Sequence, residues 1–271
     1  MDKLREYLKS YSTVVITGGS SGIGDAFIKL IYKLNHQICF FNLSRTKPDF
    51  FVNRKHFVHF QCDFSRTQEI DNQLDKIKLL LMDKPPHGKV LLINNSGYGS
   101  YGVFQDLAVK TELSMLSVNI DAVVRITHAL LPIVKKTQGA IINNASIASF
   151  QPTPYFSTYG ASKSFVRHFS LSLSQEVKKD GVTIQCLCPG PTDTAFFRRA
   201  GFAKTPIKKG FGESAEGVVW HSLKALPRGK ILVVSGWKNW LLTTLCSKLP
   251  IPLVTVISGM ISQKIRLNKS S

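Results

Sequence analysis

The chain has 271 residues, enough for one large domain or one domain with an appendage, and its 44% hydrophobic and 19% charged composition is globular. Lys and Arg outnumber Asp and Glu 35 to 17, a formal net charge of +18, which implies an anionic partner: a phosphorylated cofactor, anionic lipid or nucleic acid. The basic residues are scattered and no nucleic-acid-binding signature accompanies them, so nucleic acid is set aside, and no solenoid-period repeat is present.

The amino terminus, Met1 to Glu6, is charged and lacks the apolar core of a secretory signal; Leu4, Tyr7, Leu8 and Tyr11 have helical spacing. With five sparse cysteines, this fits a reducing, cytoplasmic setting. Thr13 to Thr17 is a β-branched apolar run that reads as a buried parallel strand. It stops at Gly18-Gly19-Ser20-Ser21-Gly22-Ile23-Gly24, after which Ala26, Phe27, Leu30, Ile31 and Leu34 have the period of a helix. Strand, glycine loop and helix is the setting for a dinucleotide: the glycines let backbone approach a pyrophosphate, which sits on the helix N-terminus. The spacing is Gly-x-x-x-Gly-x-Gly rather than the common Gly-x-Gly-x-x-Gly; an ordinary glycine-rich turn is the competing reading.

A second strand, Gln37 to Leu43, ends at Ser44-Arg45-Thr46-Lys47. An NAD binder would place Asp or Glu there against the ribose hydroxyls. None is present, and Arg45 could pair with a 2′-phosphate, so the expected cofactor is NADP(H) rather than NAD(H). A third strand over 55–61 ends at Cys62-Asp63-Phe64, where Asp63 either meets the adenine edge or caps a helix over 65–82. His56 and His59 fall on opposite faces of that strand, so no metal site is expected from them. Lys89 to Ile93 runs as a fourth strand into Asn94-Asn95-Ser96-Gly97, a polar turn whose glycine permits close approach of a cofactor ribose.

The pattern predicts one helix over 111–136, with Asn119 in its middle and Pro132 placed to kink it. Asn119 is either a solvated residue or one whose side chain or loosened backbone holds a water near an active site. A fifth strand, Gly139 to Ala145, ends at Ser146, with Ser149 nearby as a decoy; the carboxyl ends of parallel strands are where open α/β sheets bind ligands. A helix beginning near Ser157 then carries Tyr159 and Lys163 on one face. A phenol with an ammonium one turn away can serve as a general acid or base, although Tyr-x-x-x-Lys alone is a weak signal. Val182 to Cys188 is a sixth strand, followed by Pro189-Gly190-Pro191-Thr192-Asp193-Thr194, and Ile231 to Val234 closes the sheet. Cys186-x-Cys188 has no second ligand pair and reads as one face of a strand rather than half a metal site. Residues from about 195 to 217 lack a clear period and are rich in Phe, as a surface loop or an apolar substrate lid would be.

Taken together, Thr17-Gly-x-x-x-Gly-x-Gly24, Asn94-Asn95-Ser96-Gly97, Asn119, Ser146, Tyr159-x-x-x-Lys163 and Pro189-Gly190 resemble the short-chain dehydrogenase/reductase family in order and spacing, over about 13–234. Ser96, where the family most often has alanine, is the departure. The closer similarity is to the broad bacterial-type branch related to 3-ketoacyl and steroid reductases. The resemblance implies a Rossmann-type doubly wound α/β fold, a mostly parallel seven-stranded sheet with helices on both faces, in one domain over 1–235. It implies that Tyr159 moves a proton to or from the carbonyl oxygen and that Lys163 holds the nicotinamide ribose and lowers the Tyr159 pKa. Ser146 would hydrogen-bond the substrate oxygen, and Asn119 would support a relay water. Cofactor contacts are expected from Gly18, Ser20, Ser21, Gly22, Ile23, Gly24, Ser44, Arg45, Asp63, Phe64, Asn95, Ser96, Gly97, Tyr159, Lys163, Pro189, Gly190, Thr192 and Thr194, and a homodimer is expected by analogy.

The expected activity is NADP(H)-dependent interconversion of a ketone and a secondary alcohol, in the reductive direction, on an apolar or acyl-chain small molecule. The rival is a non-catalytic nucleotide sensor or membrane scaffold with the same fold, which would have no need of Tyr159. The remaining 236–271 form an apolar, basic extension, broken by Lys248, Pro250 and Pro252 and too short for an ordinary membrane span. It packs on the cleft or a dimer partner, lies on an anionic membrane surface, or does both.

Overall fold

The computed structural model describes residues 1–49, 56–201 and 212–267, with side chains described as far as Gln263. Seven strands form one sheet: β1 (Tyr11–Thr17), β2 (Cys39–Ser44), β3 (Phe57–Gln61), β4 (Lys89–Asn94), β5 (Ala140–Asn144), β6 (Thr183–Cys188) and β7 (Leu232–Val234). Their order is β3-β2-β1-β4-β5-β6-β7. Every pairing is parallel, so the sheet is parallel throughout rather than mostly so.

Among the described residues ten helices accompany the sheet: α1 (Asp2–Lys9), α2 (Gly22–Leu34), α3 (Thr67–Asp83), α4 (Val109–Leu116), α5 (Ala122–Lys136), α6 (Ser157–Glu176), the short α7 (Phe196–Arg199), α8 (Ala215–Ala225), α9 (Trp237–Cys246) and α10 (Ile251–Leu267). Alternation along β1 assigns the two layers. Val14 and Ile16 meet α1, α2 and α8 through Leu8, Phe27 and Val218. Val15 points the other way, into the layer holding Ile70 of α3 and Ile126 of α5.

The chain leaves β1 toward β2 and β3, then returns to place β4 on the other side of β1. That reversal opens a crevice at the carboxyl ends of β1 and β4, where such sheets bind ligands. Pairing register brings the ends level: Ile16 lies opposite Ile93, Asn94 opposite Asn143, and Asn144 opposite Leu187. Buried asparagines tie the sheet to the helices: Asn94 donates to Thr127 and to Asn143, and Asn143 donates to Ser170.

Three expectations change in detail. The helix expected over 111–136 begins at Val109 and is interrupted at Ser117–Asp121 by a π-helical turn around Asn119. Pro132 lies inside α5, which continues to Lys136. By length and composition alone 109–136 could cross a bilayer; here it packs against β4, α3 and α6 as part of the helical layer. The expected lid is shortened at its end because Ala215, Val218, Val219 and Leu223 have helical spacing and bury as α8; Phe202 and Phe211 lie outside the described residues.

Candidate active site

A cleft of ≈ 680 Å³ opens at the carboxyl edge of the sheet. Its floor is the glycine loop. Gly18 and Gly22 have φ of +67° and +57°, left-handed conformations that favour glycine. A Cβ on Gly24 would run into the Gly18 carbonyl, so this glycine serves packing of helix against loop rather than lining the cleft. Gly24→Ala is expected to destabilise the fold by about 1–3 kcal/mol, read by calorimetry.

The loop is clamped from both sides. Asn42, buried on β2, accepts the Gly19 N–H at 2.9 Å and donates to Ser44 and to the His59 ring. Asn95 donates to the carbonyls of Thr17 and Gly18, while Thr17 Oγ1 accepts the N–H groups of Asn95 and Ser96 at 2.9 Å. Asn144 donates to Asn95 Oδ1, extending the brace to β5; its own Oδ1 is buried and unpartnered at the cleft wall. The free N–H groups of the first turn of α2 face the loop and cleft, the arrangement that holds a pyrophosphate. A dinucleotide fits these residues.

At the end of β2, Ser44, exposed Arg45 and Thr46 line the cleft, with Asp63 and Phe64 beside them. Asp63 does not cap α3. Its Oδ1 accepts the backbone N–H and hydroxyl of Ser65 in a local turn, and the residue preceding α3 is Arg66. Burial pushes the Asp63 carboxyl up, but the Ser65 bonds and the nearby Arg45 and Arg66 outweigh it and hold it below its ordinary value.

At the other end, Ser146, Tyr159 and Lys163 converge. Ser146 follows β5 and caps a short 3-10 turn by accepting the Ala148 N–H at 3.1 Å. Ser149 points away, donating to the Ser146 carbonyl, and does not line the cleft. Tyr159 and Lys163 lie one turn apart on α6, 7% and 4% exposed. Lys163 Nζ donates to the Asn144 carbonyl at 2.8 Å and lies 3.1 Å from where Gly97 would carry a Cβ. The Tyr159 ring makes tilted contacts with Phe156 at 4.5 Å and Phe196 at 5.3 Å, the three rings forming a triangle.

Burial therefore governs both titrations. It raises the Tyr159 hydroxyl to about 12, a hydrogen bond with Ser146 working the other way. It lowers the Lys163 ammonium to about 8. The expected lowering of Tyr159 by Lys163 is thus reversed in sign within the protein alone: Nζ is 5.8 Å from the phenol ring centroid and turned to the Asn144 carbonyl.

Asn119 does not line the cleft. Its Oδ1 accepts the Tyr98 N–H, and its Nδ2 donates to the Tyr98 carbonyl and to Ser162 Oγ, which itself donates to the Tyr159 carbonyl. It reaches the site through its neighbours. The π-helical turn places it there, the loosened helix that a mid-helix Asn hints at. Pro189, Gly190, Thr192 and Thr194 line the opposite rim, and Ser20, Ser21, Ile23, Asn95, Ser96 and Gly97 complete the floor. Sequence reading missed Asn42 and Asn144, and it missed Tyr98 and Phe156 of the aromatic wall; Phe196 and Phe197, which complete that wall, come from the Phe-rich stretch expected to form a loop or lid. Cys186 and Cys188 share one strand face with sulfurs 3.7 Å apart, away from the cleft, and no cluster suited to a metal occurs among the described residues.

Fold and cleft together define an α/β oxidoreductase built to hold a dinucleotide beside a buried tyrosine and lysine. Residues 12–203 match the family model described as short chain dehydrogenase, and the chain belongs to that family. It is 31% identical over 247 residues to hydroxysteroid dehydrogenase-like protein 1 of Gallus gallus, covering 87% of this chain and 71% of that one. It is 31% identical over 189 residues to the very-long-chain 3-oxoacyl-CoA reductase of Anas platyrhynchos, covering 65% of this chain and 58% of that protein, little more than half its length. A short-chain dehydrogenase from Sphingobium yanoikuyae in complex with NADPH has the same fold, with a TM-score of 0.72 at 24% identity over 88% of this chain and 96% of that one.

Proposed function

We propose that this enzyme is an NADPH-dependent reductase of an apolar ketone. The observation that carries the proposal is the convergence of Ser146, Tyr159 and Lys163 in the dinucleotide-shaped cleft at the end of β5. When bound, the nicotinamide supplies the hydride that reaches the carbonyl carbon. Ser146 and Tyr159 meet the carbonyl oxygen, where negative charge develops, with donors already in place. Tyr159 then gives its proton to that oxygen. A hydroxyl raised to about 12 is fully protonated at neutral pH, the state that reduction needs. Lys163, held by the Asn144 carbonyl beside Gly97, is placed to bind the nicotinamide ribose hydroxyls. Asn119 positions Tyr98 and, through Ser162, the first turn of α6.

The preference for NADPH rests on Arg45 and on the absence of a carboxylate over Ser44 to Lys47. Arg45→Asp is expected to lower the kcat/KM ratio of NADPH over NADH by about 10–100-fold, the weight of a charge-assisted hydrogen bond. An unchanged ratio would remove Arg45 from the assignment.

The aromatic wall of Tyr98, Phe156, Phe196 and Phe197 suits an apolar substrate, and the similarity to a hydroxysteroid dehydrogenase-like protein and a very-long-chain 3-oxoacyl-CoA reductase points to long-chain 3-oxoacyl thioesters and steroid ketones. NADPH oxidation measured across ketones of rising apolar size tests this. Turnover that rises with size supports the substrate class, and turnover confined to small polar ketones overturns it. Within this proposal the enzyme works in the cytoplasm as a homodimer, the state that the family resemblance implies.

A further inference from the structure

Beyond β7 the chain leaves the sheet and presents two apolar helix stripes. On α9, Trp237, Trp240, Leu241 and Leu245 are exposed, Trp237 by 72%. On α10, Leu253, Val256, Ile257, Met260 and Ile261 are exposed, at the three-and-four spacing of one helix face. Exposed apolar surface of this extent on one element marks an interaction site.

The charge carried by the extension itself has one sign. After Glu216 the sequence contains no Asp or Glu, while Lys238, Lys248, Lys264, Arg266 and Lys269 punctuate the extension. Lys238 Nζ lies 5.7 Å from the Trp237 ring, an apolar ring with a cation beside it. We propose that α9 and α10 form a docking face for an anionic lipid bilayer, with the aliphatic stripes and tryptophans entering the interface and the basic residues meeting the headgroups. A second copy of this chain is the poorer occupant, because two such faces brought together would both be basic, and the extension supplies no acid to answer its own cations.

The face is anchored to the body. Val254 is buried on the inner side of α10, and Tyr101 Oη donates to the Ser262 carbonyl at 2.7 Å. The Tyr101 ring packs edge-on against Phe156, which packs on Tyr159. Two aromatic side chains thus link the docking helix to the reactive hydroxyl, and an apolar carbonyl compound dissolved in the bilayer would be met where it resides. The docking face stands on exposure and charge, independent of which ketone is reduced.

The test is flotation of the full chain with vesicles of phosphatidylcholine alone and of phosphatidylcholine mixed with phosphatidylserine. The protein is expected to float with the mixed vesicles about tenfold more strongly than with the neutral ones, and less as salt rises. Trp237→Glu with Ile261→Glu, both at exposed positions, is expected to abolish flotation without moving the thermal midpoint. Protein that stays in the bottom fraction with both vesicles overturns the proposal, as does flotation that survives the double substitution. Light scattering covers the other occupant: a dimer that the same substitutions split, with no vesicle binding, makes the face a contact between copies and overturns the lipid assignment.

Discussion

Replacing Tyr159 with Phe is expected to lower kcat for NADPH-dependent ketone reduction by about 10²–10⁴-fold, the contribution of a positioned proton donor. The substitution is close to a single-atom change. The ring keeps its packing on Phe156 and Phe196, so the cleft retains its shape. What is lost is the hydroxyl beside Ser146, and with it the proton for the developing alkoxide. NADPH affinity, followed by cofactor fluorescence, should stay within a few-fold of the wild type, so that the loss appears in kcat. The pH dependence has a definite sign. Tyr159 is raised above its ordinary value by burial and stays protonated through neutral pH, so reduction is expected to be flat there. Alcohol oxidation needs the hydroxyl deprotonated and is expected to climb as pH rises. A Tyr159→Phe enzyme with near-normal kcat would exclude the phenol as the acid.

What was legible in the sequence was whatever a local run of residues could state. β1, the glycine loop and α2 are contiguous, so one stretch of chain discloses both the element types and their chemistry. Tyr159 and Lys163 are one helical turn apart and share a face by geometry alone. Residues whose meaning depends on distant partners were not legible. Asn42 looks like a polar fault in an apolar strand until Gly19, 23 residues earlier, is seen bonded to it. Asn144 is another polar residue at a strand end until Asn95 and Lys163 are placed around it. The electrostatics of the pair failed for the same reason. Sequence spacing supplies the ammonium beside the phenol but not the burial that desolvates both, and desolvation wins. Asn119 falls between these cases: its poor fit in a helix interior announces an irregularity, while its hydrogen bonds to Tyr98 and Ser162 require the fold.

That burial has a measurable consequence at Lys163. The residue is 4% exposed, and no salt bridge to it occurs among the described residues; its ammonium donates to the Asn144 carbonyl. Desolvation lowers its pKa from 10.5 to about 8. A charged group held this way opposes folding, by about 3 kcal/mol at neutral pH for a shift of this size. Met has similar length and no charge, so Lys163→Met removes the cost and leaves the Asn144 carbonyl without its donor, a loss of about 1–2 kcal/mol. The expected net result is a protein more stable by about 1–2 kcal/mol, with a thermal midpoint higher by about 2–5 °C. Turnover is expected to fall at the same time, because the ammonium proposed to hold the nicotinamide ribose is gone. The pH window follows from the direction of the shift. Below pH 8 the lysine is charged in both folded and unfolded chains, and the difference between variant and wild type is fully present. Between 8 and 10.5 the folded protein has released the proton while the unfolded chain still holds it, so the gain fades; above 10.5 the charge cost is gone, only the lost hydrogen bond to Asn144 remains, and the variant becomes the less stable of the two. Comparing the two proteins at each pH cancels the opposing titration of Tyr159. A Lys163→Met midpoint at or below that of the wild type at pH 7 would mean that the ammonium is solvated in the folded protein. A gain that disappears toward pH 10 would identify Lys163 as a residue kept for chemistry against stability.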